Sequence, residues 1–298
     1  DLYTHTHTDR HVEVAQELFT KLLENGHLVE ATQSMPFSET EQRFLSDRFV
    51  EGTCPHCAHE SARGDQCDNC GRTLDPIDLI NIRSKRDGST PVFKDTTHYM
   101  LKLGDFQEKL EKWVTGKDDW RANVRNQTLG MLREGLHDRA ITRDIDWGVP
   151  VPLGGWESKR IYVWFEAVLG YLSAARAWAE QKGMPDEWKK FWVDPEGESY
   201  YFQGKDNVSF HTIMLPSILM GSGDLNLPTD VVANEYLNIG GADFSKSTGN
   251  AIWVTDFLSR YEADPLRYYL SSIMPETSDS DFTWEGFHAA NNNELVAT

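Results

Sequence analysis

The sequence predicts an α/β protein: a partial parallel sheet flanked by helices, carrying a polar, cysteine-bearing insertion and ending in further helices. Three observations predict this. From Ile161 onward, short apolar runs alternate with helical segments, the pattern of a parallel sheet. From about Met35 to Trp147 the chain is instead polar and turn-rich. All four cysteines fall between Cys54 and Cys70.

The elements follow in chain order. Asp9 is predicted to cap a helix running to about Asn25, with Val12, Ala15, Phe19 and Leu22 on one face, Leu18 beside them, and Gly26 as the stop. A helical stretch is expected within the insertion near 113–136. Runs 161–168 and 200–203 read as buried strands, followed by helices at 172–181 and 209–221, and 231–239 reads as another strand. Ligands of parallel sheets bind beyond the carboxyl ends of the strands, so loops 204–208 and 240–249 lie where a ligand would sit. Asp264-Pro265 reads as a helix start, the carboxylate as cap and Pro at the first helical position. A second start is expected near Thr283, and 291–298 reads as the opening of one more helix.

At 298 residues the chain can bury a full core and accommodate about two domains. Net charge is −18, from 29 basic and 47 acidic residues. Such an excess repels polyanions at long range. It argues against a general nucleic-acid coat and against DNA as a partner, while leaving room for a local site for one RNA. No run approaches the roughly 20 apolar residues of a membrane helix, so no membrane partner is expected. Neither signal peptide nor disulfide framework is read from the sequence, and a cytoplasmic setting is expected. The sequence opens at Asp1 and not at Met, as a piece of a longer protein would.

Cys54-Pro-His-Cys57 and Cys67-Asp-Asn-Cys70 are two C-x-x-C knuckles, nine residues apart. Two such thiolate pairs converge on one tetrahedral Zn²⁺ at about 2.3 Å each. Four protein ligands leave no open coordination position, so the expected zinc is structural. Gly71 suits the second knuckle turn. His56 and His59 read as surface residues beside a complete shell.

Three other stretches carry candidate chemistry. In Tyr201-Phe202-Gln203-Gly204-Lys205-Asp206-Asn207-Val208-Ser209-Phe210-His211, Gly204 allows close backbone approach to a ligand. There Asp206 is either a cap or the holder of an ammonium or ribose hydroxyl, and His211 is either an ordinary helix-face residue or turned toward the same crevice. In 161–171, Trp164, Ala167, Val168 and Tyr171 either line an apolar pocket or pack in the core. The stretch Gly-Ala-Asp-Phe-Ser-Lys-Ser-Thr-Gly-Asn at 241–250 is either a solvated turn or a phosphate-holding loop around Lys246.

Taken together, YVWFEAVLGY, FQGKDNVSFH, VANEYLN, GADFSKSTGN, DPLRYYL and SDFTWEGF occur in the order found in methionyl-tRNA synthetases, with DRFVEGTCPHC before them and NNELVAT at the end. Nearly the whole chain resembles that family. The resemblance implies a class I enzyme with a Rossmann catalytic domain, split by a zinc-bearing connective insertion and followed by a helical anticodon-binding domain. It implies the end of the first catalytic half at 1–34, the insertion at 35–147, the second half at 148–250, a linker segment at 251–285 and the start of the anticodon domain at 286–298. Its substrates would be L-methionine, ATP with Mg²⁺, and tRNA(Met). Lys246 would be the catalytic lysine of the signature loop, meeting the ATP phosphates with Ser245 and Ser247. Gly204, Lys205, Asn234 and Leu237 would contact ATP. Trp164, Ala167, Val168, Tyr171, Asp206, Phe210 and His211 would bind methionine.

The chain departs from the family pattern in places. Asp243 stands at the first signature lysine, Glu166-Ala167-Val168 replaces Asp-Ala-Pro, Leu215 replaces a frequent tryptophan, and FSETEQRF lacks a second pair of knuckles. No His-Ile-Gly-His signature occurs. The chain therefore reads as an internal segment, inactive in adenylate formation when isolated. Two alternatives stand beside it: a non-catalytic zinc-bearing RNA-binding or assembly module, and a class I synthetase for leucine, isoleucine or valine, which the short insertion disfavours.

Overall fold

The computed structural model describes residues 2–64, 67, 69–70, 74–223, 225–244 and 249–296. The chain divides into two compact units. One comprises 1–108, 135–197 and 214–227, and the other 109–134, 198–213 and 228–298.

In the first unit, helix α1 (Asp9–Glu24) is capped by Thr8, whose hydroxyl accepts a bond from the His11 amide at 3.2 Å. Thr8 and not Asp9 is therefore the cap. Asp9 is the first helical residue, where its carboxylate favours the positive end of the helix dipole. Ala15, Leu18, Phe19 and Leu22 are buried as expected, and Val14 joins them while Val12 is only half-buried. Gly26 ends the helix with φ of 75°, a left-handed position open to glycine. Strand β1 (Leu28–Ser38) then pairs antiparallel with β2 (Val92–Leu101), from Leu28↔Leu101 to Phe37↔Val92. Between them sits a small three-stranded sheet of Val50–Thr53 flanked by Ala62–Arg63 and Ile80–Ser84. Its own core is Leu45, Val50, Cys54, Ala62, Cys67, Leu74 and Leu79.

The run 161–168 is not a strand. Only Arg160–Ile161 is extended, paired antiparallel with Thr142–Arg143. The chain then enters helix α2 (Val163–Glu166), a 3₁₀ turn (Ala167–Leu169) and helix α3 (Gly170–Gln181). Phe165, Val168, Leu169 and Leu172 are buried at the i, i+3, i+4, i+7 spacing of a helix, and Ala179 is buried further along. A dense apolar run satisfies strand and helix templates alike. Here α1 provides the partner surface, with the Phe19 and Phe165 rings edge to face at 6.4 Å.

In the second unit, β3 (Tyr200–Gly204) pairs in parallel with β4 (Asp230–Asn234), from Tyr200↔Asp230 to Gly204↔Asn234. The helical stretch expected near 113–136 is two helices, Gln107–Thr115 and Ala122–Glu134. Val114, Trp120 and Val124 form one core with Val208, Val231 and Ala233. The helix expected at 209–221 is divided into a π-helical turn, Phe210–Met214, and the α-helix Leu215–Ser222, which belongs to the first unit. The single strand expected at 231–239 is two. After Asn234 the Glu235 amide donates to the Pro275 carbonyl at 2.8 Å and the Tyr236 amide to Asp279 Oδ1 at 2.8 Å. The backbone thus leaves the first sheet, and β5 (Leu237–Ile239) pairs in parallel with β6 (Ser280–Phe282) and antiparallel with Ala242–Asp243.

The helix expected to begin at Asp264-Pro265 starts at Ala263, with Glu262 at the cap position, so Pro265 is the third helical residue. Pro is tolerated there because no amide of the first turn has a partner within the helix. Thr283 caps Trp284–Ala290 as expected, accepting from the Gly286 amide at 3.1 Å. Among the described residues no helix is long and apolar enough to cross a membrane.

Gly221 is a point of close helix packing in the first unit. A Cβ there would lie 3.0 Å from the Phe106 ring and 3.1 Å from the His27 ring, and closer still to Leu22. Gly221→Ala is expected to cost about 1–3 kcal/mol by overpacking. Thermal melting checks this, and an unchanged midpoint would show that the contact yields freely.

Candidate active site and metal centre

The two knuckles bring four sulfurs together. The Sγ atoms of Cys54, Cys57, Cys67 and Cys70 all lie within 4.8 Å of one another, and none is in a disulfide. Cys54 and Cys70 are 3.9 Å apart, and Cys57 and Cys67 3.6 Å. A tetrahedral ion with sulfur at about 2.3 Å requires edges of about 3.8 Å, so the donor set is compatible with zinc. The chain reverses after Cys57 through Ala58, at φ of 59°, and the Ala58 amide donates to the Cys54 carbonyl at 3.0 Å. Asn69 Nδ2 donates to Cys57 Sγ at 3.6 Å. That bond is the largest influence pulling the Cys57 thiol down to about 6, toward the thiolate a metal needs. Neither His56 nor His59 joins the cluster. Gly71 lies outside the described residues.

In the second unit the parallel register sets Gly204 beside Asn234, at the carboxyl ends of β3 and β4. Open space faces Gly204 where a side chain would be. The next residue, Lys205, is held on three sides. Its Nζ lies 2.7 Å from Glu235 Oε2, 2.9 Å from Asp279 Oδ1 and 3.9 Å from the centre of the Tyr236 ring. Burial pulls the Lys205 pKa down, but the two carboxylates outweigh it and hold the ammonium above its ordinary value. One cation between two anions leaves the group with net negative charge. The Tyr236 hydroxyl donates to Asp206, and its pKa is pushed up to about 12 by burial and then by that carboxylate. Asn234 Oδ1 accepts from Arg121 at 3.1 Å. Leu237 packs on the C-terminal aromatic core.

His211 is 5% exposed and its Nδ1 donates to the Asn207 carbonyl at 2.9 Å. This fixes the tautomer and leaves Nε2 as the acceptor nitrogen. Its ring is 5.6 Å from that of Tyr201. Phe210 precedes it on the same π-helical turn.

In the first unit Trp164, Ala167, Val168 and Tyr171 follow the same helical spacing as the buried stripe of α2 and α3, shifted by one residue. Val168 is buried, Trp164 and Ala167 half-buried, and Tyr171 exposed. Beneath them Glu166 bonds to His11 of α1. Lys246, Ser245 and Ser247 lie outside the described residues. The start of their loop is held by Gly241, whose amide donates to both Asp281 oxygens at 3.0 and 3.1 Å.

Sequence reasoning missed Glu235, Tyr236, Asp279, Arg121 and the His11–Glu166 contact. Glu235 and Tyr236 sit inside the VANEYLN stretch and were open to notice. Asp279 is 74 residues from its partner Lys205, and no local pattern points to it.

The family description tRNA synthetases class I (M) matches residues 1–298. A methionine–tRNA ligase of Dehalococcoides mccartyi is 57% identical over 299 residues, covering 100% of this chain and 54% of that protein. One from Thermomicrobium roseum is 52% identical and 51% covered. The chain thus spans about half the length of the curated relatives it matches. Among solved structures, Mycobacterium tuberculosis methionyl-tRNA synthetase bound by methionyl-adenylate superposes with a TM-score of 0.71 at 21% identity, over 99% of this chain and 52% of that one. Its free form gives 0.68. These two likenesses show the fold.

Burial also lowers the pKa of His211, and that of His98 in the first unit despite the opposing pull of Asp144. Both stay neutral in the folded chain where the unfolded chain takes up protons, below about pH 6.5. Through these two groups stability is therefore expected to fall as the pH drops below about 6.5. Melting midpoints across this range test it, and a flat profile would contradict it.

Proposed function

We propose, from the premise that this chain belongs to the tRNA synthetases class I (M), that it is part of a methionine–tRNA ligase. The parent protein would activate L-methionine with ATP and transfer it to tRNA(Met). The observation that carries this reading is the family match over the full chain, joined to a parallel register that sets the Gly204-Lys205-Asp206 loop beside Asn234. The proposed domains are those implied by the resemblance: catalytic at 1–34 and 148–250, connective insertion at 35–147, linker at 251–285, and anticodon-binding from 286. The proposed setting is the cytoplasm.

Adenylate formation joins a methionine carboxylate oxygen to the α-phosphorus of ATP and releases pyrophosphate. Such transfers rest on positioning and on charge stabilisation. We assign Gly204, Lys205, Asn234 and Leu237 to ATP, taken as its Mg²⁺ complex. Lys205 is already neutralised by Glu235 and Asp279, so it serves to hold loops together and offers little free charge. The resemblance implies Lys246, flanked by Ser245 and Ser247, as the cation for the departing phosphates. Trp164, Ala167, Val168, Tyr171 and Phe210 suit a thioether, for which aromatic neighbours are favourable. Asp206 suits the substrate ammonium, which would replace the Tyr236 hydroxyl as its partner. His211 presents Nε2 as an acceptor for the same substrate.

Cys54, Cys57, Cys67 and Cys70 would hold one structural Zn²⁺, whose chemistry is to fix the insertion's fold. Purified protein is expected to carry about one zinc per chain. Strong chelation, or Cys70→Ser, should lower the melting temperature of the insertion. Metal analysis finding no zinc after native purification would contradict the assignment.

Lys246→Ala in the full-length enzyme is expected to slow adenylation by on the order of 100-fold or more while leaving methionine affinity within a few-fold. Single-turnover adenylation and equilibrium binding separate the two. Equal losses in both would count against the role.

A further inference from the structure

We propose that His11 and Glu166 are positioning residues for amino-acid binding: a buried clamp that sets the rotation of the helical stripe Trp164, Ala167, Val168 and Tyr171, resting on the assignment of that stripe to methionine. His11 is 0% exposed and Glu166 8%. His11 Nε2 lies 2.5 Å from Glu166 Oε2 and its Nδ1 3.1 Å from Ser173 Oγ. One imidazole of α1 therefore grips both ends of the stripe, at Glu166 between Trp164 and Ala167, and at Ser173 just past Tyr171.

The protons can be assigned. Ser173 Oγ donates its one hydrogen to the Gly170 carbonyl at 3.0 Å. Toward His11 it can only accept, so Nδ1 carries a hydrogen. Nε2 then faces Glu166 Oε2 as the ring's second polar contact. The chain of contacts from Glu166 to Gly170 is thereby directional.

Apolar burial against α1 does not supply this. Hydrophobic attraction is non-directional, and Phe165, Val168, Leu169 and Leu172 would stay covered through a modest roll of the helix. A roll by one residue is about 100° and would carry the stripe away. Hydrogen bonds weaken steeply off-axis, and a buried polar group left unpaired is costly. The clamp thus fixes orientation where the stripe's adhesion is already supplied by packing.

The test uses the full-length protein in methionine-dependent ATP–pyrophosphate exchange, with thermal melting alongside. Glu166→Leu and the double variant His11→Leu/Glu166→Leu are expected to raise the methionine KM by about tenfold or more, with the ATP KM within about twofold and kcat changed far less. Glu166→Gln, whose amide donates to Nε2, should restore the methionine KM to within about threefold of the parent. If Glu166→Leu fails to fold, the double variant carries the test, because it orphans no buried charge. A folded double variant with unchanged methionine KM overturns the clamp, as does a parallel rise in both KM values. Trp164→Ala separates the two levels: if it leaves the methionine KM unchanged, the assignment of the stripe fails and the clamp falls with it. If it raises that KM while the double variant does not, the clamp alone is overturned.

Discussion

The contact of Phe165, Val168, Leu169 and Leu172 with α1 is the constraint on which the surface proposed for methionine in the first unit depends. It converts a run of mixed apolar residues into a helix and commits one stripe to the core. The adjoining stripe borders that core, and the contacts of His11 with Glu166 and Ser173 lie on the same helical stretch. Because Val168 belongs to both stripes, the proposed binding surface and the core share a side chain. Packing density in such a region is high enough that changes of one methylene are felt, so substitutions made to tune the surface also act on stability.

The second unit solves a different problem, that of placing a lysine in a chain with net charge −18. Lys205 meets carboxylates from two separate segments, at Glu235 and Asp279, and covers the Tyr236 ring. These contacts tie the end of β3 to the turn after β4 and to the loop before β6. The same turn donates its backbone amides to residues 275–279, which ends β4 and lets β5 start a second sheet. Electrostatics and topology are thus coupled at Glu235 and Tyr236. Exposed ion pairs contribute little each, but here two converge on one half-buried ammonium.

Much of this was legible in the sequence where the cause is local. The cysteine knuckles depend on spacing alone, and their sulfurs meet as the spacing implies. The helix at 9–24 and the Thr283 cap followed from periodicity and cap chemistry, with the first cap displaced by one residue because Thr8 and Asp9 are both good caps. The strand ending near Gly204 was legible from its apolar run, but its register with Asn234 was not. What was not legible depends on distant partners. The run at 161–168 is helical because α1 lies against it, and 231–239 breaks because residues 275–279 take its amides. The His11–Glu166 bond spans 155 residues. The assignment of the candidate residues to ATP and methionine came from resemblance, not from any local physical rule.

Two of the four cysteines do double duty. Cys54 and Cys67 are counted in the small core of the insertion, whereas Cys57 and Cys70 are exposed. The cluster is therefore chemically asymmetric even though its ligands are identical in kind. Without a metal, an alkylating reagent is expected to reach the exposed pair before the buried pair. Loss of the buried sulfurs removes apolar volume along with ligands, so only the exposed pair separates metal affinity from packing. The division also sets the order of exposure to oxidant, the outer thiols before the inner ones.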